Sequence, residues 1–292
     1  MSLIVDVKSV IDGVIFEVGN VSSNVYGSHS DTSLVWPGED HIRARVVAVD
    51  EESVMEILVE TADSIRDALD NQEEWGLAGT RPGQYTFDLV ADSVALPILH
   101  GAGFSVLSEE SGVTCPGREL LAVLDPVDGS TNAHRGIPFW STSICVLDQS
   151  GPKVALVANQ ATGVRYEAVR GGGATRDLEP IEPSRCLSVP DAIVGISGFP
   201  TTKVGWAQFR AQGAASLEMC SVADGVLDAY VVVGGSHLYE WDYLAGMLIC
   251  EEAGAFVSDL RGERLVKRDS TPRWPIAASS KELMSSIVEQ VA

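Results

Sequence analysis

Asp125-Pro126-Val127-Asp128-Gly129-Ser130-Thr131-Asn132 follows the apolar run Leu120 to Leu124, so two carboxylates stand at the end of a buried strand. Pro126 has no N–H and a fixed φ, which ends strand pairing there and lets Asp125 and Asp128 turn toward one point instead of alternating to opposite faces. Gly129 permits close backbone approach, and Ser130-Thr131-Asn132 reads as a helix start whose N–H groups and dipole favour an anion. Carboxylates gather a hard divalent cation, the helix start gathers a phosphate oxygen, and the cation neutralises both. A capped turn is the plainer reading. Two aspartates, a proline and a Gly-Ser-Thr tail behind a strand are nevertheless specific enough to predict a site that handles metal and phosphate.

At 292 residues and 45% hydrophobic, the chain can bury a large core as one α/β unit or two packed halves. Its formal charge of −21, with no run of Lys and Arg, excludes a nucleic-acid polymer or an acidic membrane as partner. Apolar runs such as Tyr230 to Val233 are far shorter than the about 20 residues a membrane helix needs. The first residues carry Asp6 and Lys8 and no cleavage pattern, and the five cysteines form no C-x-x-C pair. A cytoplasmic enzyme with unpaired thiols is therefore expected, and a phosphate site in so acidic a chain must borrow positive charge from metal.

Residues 1–42, with two short apolar alternations and the polar stretch Gly19 to Ser33, read as a peripheral extension. Asp50 caps a helix with Val54, Leu58, Ala62, Ile65 and Leu69 at helical spacing, and Trp75 to Gln84 reads as a mobile Gly-rich loop. A short helix is expected to begin near Asp92, with Pro97 in its first turn or at a kink. Phe104 to Leu107 and Leu120 to Leu124 read as buried strands, each ending in acids, as open sheets present their sites. Thr142 to Leu147 and Lys153 to Ala158 flank a turn and predict a hairpin, continued by Arg165 to Val169. The half from Ala192 is expected to hold strands at Ile193 to Ile196, Leu227 to Val233 and Phe256 to Asp259. Helices are expected over Ala214 to Ala223, over Asp242 to Glu252 and from Lys281.

Ser108-Glu109-Glu110-Ser111, the Asp125 to Asn132 turn and Trp241-Asp242-Tyr243-Leu244-Ala245-Gly246 together resemble the inositol monophosphatase family of magnesium-dependent, lithium-sensitive phosphatases. The likeness runs from about Asp50 to the C-terminus. It implies an α/β (α+β) layered α-β-α-β-α sandwich over residues 43–292, with halves of about 43–185 and 186–292 and the metals between them. It also implies two or three Mg²⁺ ions: Glu109, Asp125 and the Val127 carbonyl on one, Asp125, Asp128 and Asp242 on a second, and Asp92 near a third, weaker one. Gly129, Ser130 and Thr131 resemble the family's phosphate contacts, and Glu109, Ser130 and Asp92 its catalytic groups.

Three stretches depart from the family pattern. Gly198 to Gly213 is short, so an outer helix is expected to be missing from the place where a homodimer contact would form. Gly234 to Glu240 is long, and Glu240 is the candidate contact to a substrate hydroxyl. The first 42 residues have no family counterpart. The implied reaction is hydrolysis of a small polyol or sugar phosphate monoester, inositol 1-phosphate first. Histidinol phosphate, fructose 1,6-bisphosphate and 3′-phosphoadenosine 5′-phosphate are rivals, and a catalytically silent metal or phosphate-binding module is the reading from another class.

Overall fold

The computed structural model describes residues 9–11, 14–16, 50–267 and 270–291. Strands β1 (Ser9–Ile11) and β2 (Val14–Phe16) pair antiparallel, and the rest of the 1–42 extension lies outside the described residues.

Asp50 opens α1 (Glu51–Asp70) by accepting the Ser53 N–H at 2.8 Å, and Val54, Leu58, Ala62, Ile65 and Leu69 are all buried on one face. Helix α2 (Thr86–Gly101) starts six residues before the expected point. Its N-cap is Tyr85, whose N–H is accepted by Asp88 at 2.9 Å, so the start carries none of the usual Ser, Thr, Asp or Asn cap signals. Pro97 lies well inside α2, beyond its first turn.

The first sheet contains β3 (Ser105–Ser108), β4 (Gly112–Thr114), β5 (Leu121–Asp128), β6 (Ser141–Asp148), β7 (Gly151–Asn159), β8 (Arg165–Val169), β9 (Gly173–Arg176) and β10 (Glu179–Pro180). Its order is β10-β9-β8-β7-β6-β5-β3-β4, with β3 and β5 parallel and the other pairs antiparallel. Between β5 and β6 lies the short helix α3 (Ser130–Arg135). Pro126 interrupts pairing but does not end it. Asp125 faces Ser143 and Asp128 faces Ser141, so one extra residue bulges between the two aspartates and breaks their alternation.

The second sheet, β12-β11-β13-β15-β14, contains β11 (Ile193–Ser197), β12 (Gln208–Arg210), β13 (Ala229–Val232), β14 (Phe256–Asp259) and β15 (Pro275–Ala278). Helices α4 (Ala215–Ala223) and α5 (Glu240–Ala253) lie between the sheets, and α6 (Lys281–Val291) covers the outer face of the second. Among the described residues, 198–214 form only β12 and no helix, as the short segment predicts.

Side-chain alternation assembles the layers. Ala122, Leu124, Ile144 and Val146 pack against α1 and α2, whereas Leu121, Val123, Cys145 and Leu147 face α4 and α5. In the second sheet Tyr230 and Val232 turn inward, while Ala229 and Val231 meet Leu283 and Ile287 of α6. The result is the expected α-β-α-β-α sandwich. A Cβ at Gly246 would lie 2.7 Å from Met219 Cβ, so glycine there lets α5 press against α4 and fixes where its N-terminus, with Asp242, reaches the first sheet.

Candidate active site

Three elements deliver one carboxylate each to a common point. Parallel pairing sets the ends of β3 and β5 side by side, and the Glu109 N–H donates to Leu124 O at 3.1 Å, so Glu109 stands beside Asp125. Asp242, at the third residue of α5, accepts the Tyr239 N–H at 2.7 Å. One oxygen each from Glu109, Asp125 and Asp242 lies within 4.8 Å of the others.

Asp128 adjoins this group, but both its oxygens are engaged. They accept the N–H groups of Ala215 and Ser216, at 3.2 and 2.8 Å, and the Ser216 hydroxyl, so Asp128 also caps the start of α4. Gly129 adopts φ 87°, and a Cβ there would meet Ala214 Cβ at 3.0 Å and Gly213 O at 3.1 Å. Only glycine lets the turn approach the second half so closely. Asn132 locks it by donating to Phe139 O and Gln212 O, both at 2.7 Å.

Burial and repulsion dominate the electrostatics. Desolvation first, then the Glu109 charge, pushes Asp125 and Asp242 well above the usual carboxylate range. Desolvation and neighbouring Glu110 raise Glu109 to about 7, while desolvation raises Asp128 to about 6 against the opposing bonds from Ser216 and Ala215. Crowded, half-dry carboxylates of this kind are costly unless a cation joins them, and an all-oxygen donor set suits a hard divalent ion. The residues therefore fit a site for a hard divalent cation.

Of the remaining expected residues, the Val127 carbonyl oxygen accepts from Ser130 Oγ at 2.8 Å, and Thr131 is exposed at the first turn of α3. Asp92 requires a correction. Its Oδ1 accepts from the hydroxyls of Ser108 and Ser111, whereas the carboxylate that meets Ser130 is Asp88, one helical turn earlier, at 2.9 Å. Because α2 begins at Thr86, Asp88 lies at its site-facing end and Asp92 one turn deeper. Desolvation raises Asp88 to about 6.

Glu240 also requires correction. It is fully buried and accepts the Ser270 N–H at 3.1 Å, so it holds a neighbouring loop and presents no oxygen to a substrate hydroxyl. The Trp75 to Gln84 loop is pinned at its base, where His134 Nδ1 donates to Trp75 O at 2.7 Å and its ring stacks on Tyr85.

Comparison with known proteins matches residues 100–292 to the model of the inositol monophosphatase family. An Archaeoglobus fulgidus protein named fructose-1,6-bisphosphatase/inositol-1-monophosphatase is 34% identical over 256 residues, covering 83% of this chain and 100% of its own. A Mesorhizobium japonicum inositol-1-monophosphatase is 30% identical, over 72% of this chain and 84% of its own. Among solved structures, a Pyrococcus horikoshii protein described as having similarities to inositol-1 monophosphatase superposes with a TM-score of 0.75 at 26% identity, covering 83% of this chain and 100% of its own. The inositol monophosphatase of Anabaena (Nostoc) sp. PCC 7120 gives 0.67 at 25%, with 82% and 97% coverage. With its layers, its acid-bearing strand ends and these relatives in agreement, the chain belongs to the inositol monophosphatase family.

Proposed function

We propose that this phosphoric monoester hydrolase acts on a small polyol or sugar phosphate, with inositol 1-phosphate the leading substrate and Mg²⁺ its metal. The observation that carries the reading is the convergence of Glu109, Asp125 and Asp242 within 4.8 Å, at the turn where the Ser130 hydroxyl bonds Asp88 and the Val127 carbonyl. Glu109, Asp125 and the Val127 carbonyl would hold one ion, and Asp125, Asp128 and Asp242 a second. Bound magnesium would supply Lewis-acid polarisation of the phosphoryl oxygens and a more acidic water.

The chain's own groups do the rest. The N–H groups of Gly129, Ser130 and Thr131, at a helix start, favour the phosphate oxygens. Ser130 has one hydroxyl proton and two acceptors, Asp88 and Val127 O. Passing that proton to Asp88 while taking one from the attacking water makes Ser130 a relay and Asp88 the base, with Glu109 orienting the water. This gives Asp88 the role that the sequence suggested for Asp92.

Fructose 1,6-bisphosphate is the second reading, since the Archaeoglobus fulgidus relative carries both names. A silent binding module fits poorly, because the family model and the relatives it matches are those of phosphatases. The family resemblance adds inhibition by millimolar lithium. The five cysteines are all unpaired, which suits a reducing cytoplasm. Among the described residues no helix is long and apolar enough to cross a membrane. Phosphate release with magnesium across inositol 1-phosphate, fructose 1,6-bisphosphate, histidinol phosphate and 3′-phosphoadenosine 5′-phosphate, with and without lithium, tests the whole reading.

A further inference from the structure

Among the described residues, one cation stands against the carboxylate cluster. Arg81 Nη2 lies 2.7 Å from Glu110 Oε2 and 3.8 Å from Glu109 Oε1, and Nη1 donates to Glu109 O at 3.0 Å. Among the described residues, no other Lys or Arg lies within ion-pair distance of Asp88, Asp92, Glu109, Asp125, Asp128 or Asp242. The arginine is delivered by a hairpin, not by a loose loop. Leu77 bridges Tyr85, Ala78 N–H donates to Gln84 O at 2.9 Å, and Gly79 and Gly83 take φ of 77° and 83° around the tip. The Gln84 side chain donates to the same Glu110 carboxylate, tying the tip down a second time.

We propose that Arg81 is a tethered cation that competes with the metal at Glu109: when divalent cation is scarce it neutralises the paired glutamates, and it sets the cation concentration above which the site fills. The proposal rests on the metal-site reading above. A fixed positive charge a few ångströms from a carboxylate opposes the arrival of a second cation at that carboxylate, and the hairpin gives the arginine no freedom to leave without breaking its bonds to Glu109 and Glu110. Lysine would keep the charge but lose the forked geometry that engages both the Glu109 carbonyl and the Glu110 carboxylate.

The test is Mn²⁺ binding to metal-free protein, read from the electron paramagnetic resonance signal of free Mn²⁺, for wild type, Arg81→Gln and Arg81→Lys, with circular dichroism confirming the fold. The proposal expects Arg81→Gln to bind the ion about three- to thirtyfold more tightly, and Arg81→Lys to fall between it and wild type. Unchanged or weaker binding by a folded Arg81→Gln variant overturns it and makes Arg81 a strap that orders Glu109. If wild type and both variants bind no Mn²⁺ at all, the metal-site reading itself fails, a result distinct from equal affinity.

Discussion

The hydroxyl of Ser130 stands 2.9 Å from Asp88 Oδ1 and 2.8 Å from the Val127 carbonyl oxygen, joining the start of α2 to the Asp125 to Asn132 turn. The single hydroxyl proton is shared between two acceptors, one of them a carboxylate that can take it. If the pair acts as a relay, Ser130→Ala and Asp88→Asn should each lower kcat by about 10² to 10⁴ with small changes in KM, and the double variant should be little worse than either. Steady-state kinetics of the three variants check this. Additive losses would separate the two residues into independent roles.

Asp125 and Asp128 should behave differently when neutralised. Asp125→Asn keeps an oxygen for the Val127 N–H, 3.0 Å away, so its main effect should be loss of metal binding and turnover with the melting temperature nearly unchanged. Asp128→Asn sets an amide among three donors from Ala215 and Ser216, and it should also cost about 1–3 kcal/mol of stability. Denaturant titration of both metal-free variants distinguishes these outcomes.

Glu218 provides a pH signature outside the metal ligands. It is buried in α4, its Oε1 accepts the Gln212 N–H at 3.0 Å, its Oε2 meets no hydrogen-bond donor among the described residues, and desolvation raises it to about 8. A carboxyl whose folded pKa is raised binds more protons folded than unfolded, so stability falls as pH climbs from the unfolded value of 4.5 toward 8. Glu218→Gln should remove that slope. The variant's melting temperature relative to wild type should rise between pH 5 and pH 8, measured at saturating magnesium to hold the site carboxylates constant.

A chain beginning near His41 should retain turnover, because the described catalytic groups start with Asp88 and α1 is capped from within by Asp50. Comparison of kcat/KM for the full and shortened chains is the check. A folded but inactive short form would assign the first residues to the site or to a subunit contact that shapes it.

Where local chemistry dictates structure, the sequence was readable. The Asp50 cap and the Val54 to Leu69 spacing define α1, and the apolar run into Asp125 defines β5. The paired glutamates, the turn and Asp242 could be placed at element ends because each directly follows or opens an apolar segment. Asp88 was obscured by its helix start, capped by tyrosine and preceded by a Gly-Pro-rich stretch, which shifted the expected role one turn to Asp92. Glu240 was misread for a different reason. A carboxylate beside Asp242 is equally consistent in sequence with a cleft or with a buried bond to Ser270, and only packing decides. Arg81 carries no local signal at all, since its contacts with Glu109 and Glu110 span 28 and 29 positions.

The central claim is that converging carboxylates and the Ser130 turn make this chain a magnesium-dependent phosphatase. The most direct measurement is inorganic phosphate released from inositol 1-phosphate and fructose 1,6-bisphosphate by the metal-free protein, by the protein with Mg²⁺, and by Asp125→Asn with Mg²⁺. The account predicts turnover in the second case alone. Equal release by metal-free wild type under excess chelator, or full activity in Asp125→Asn, would contradict it.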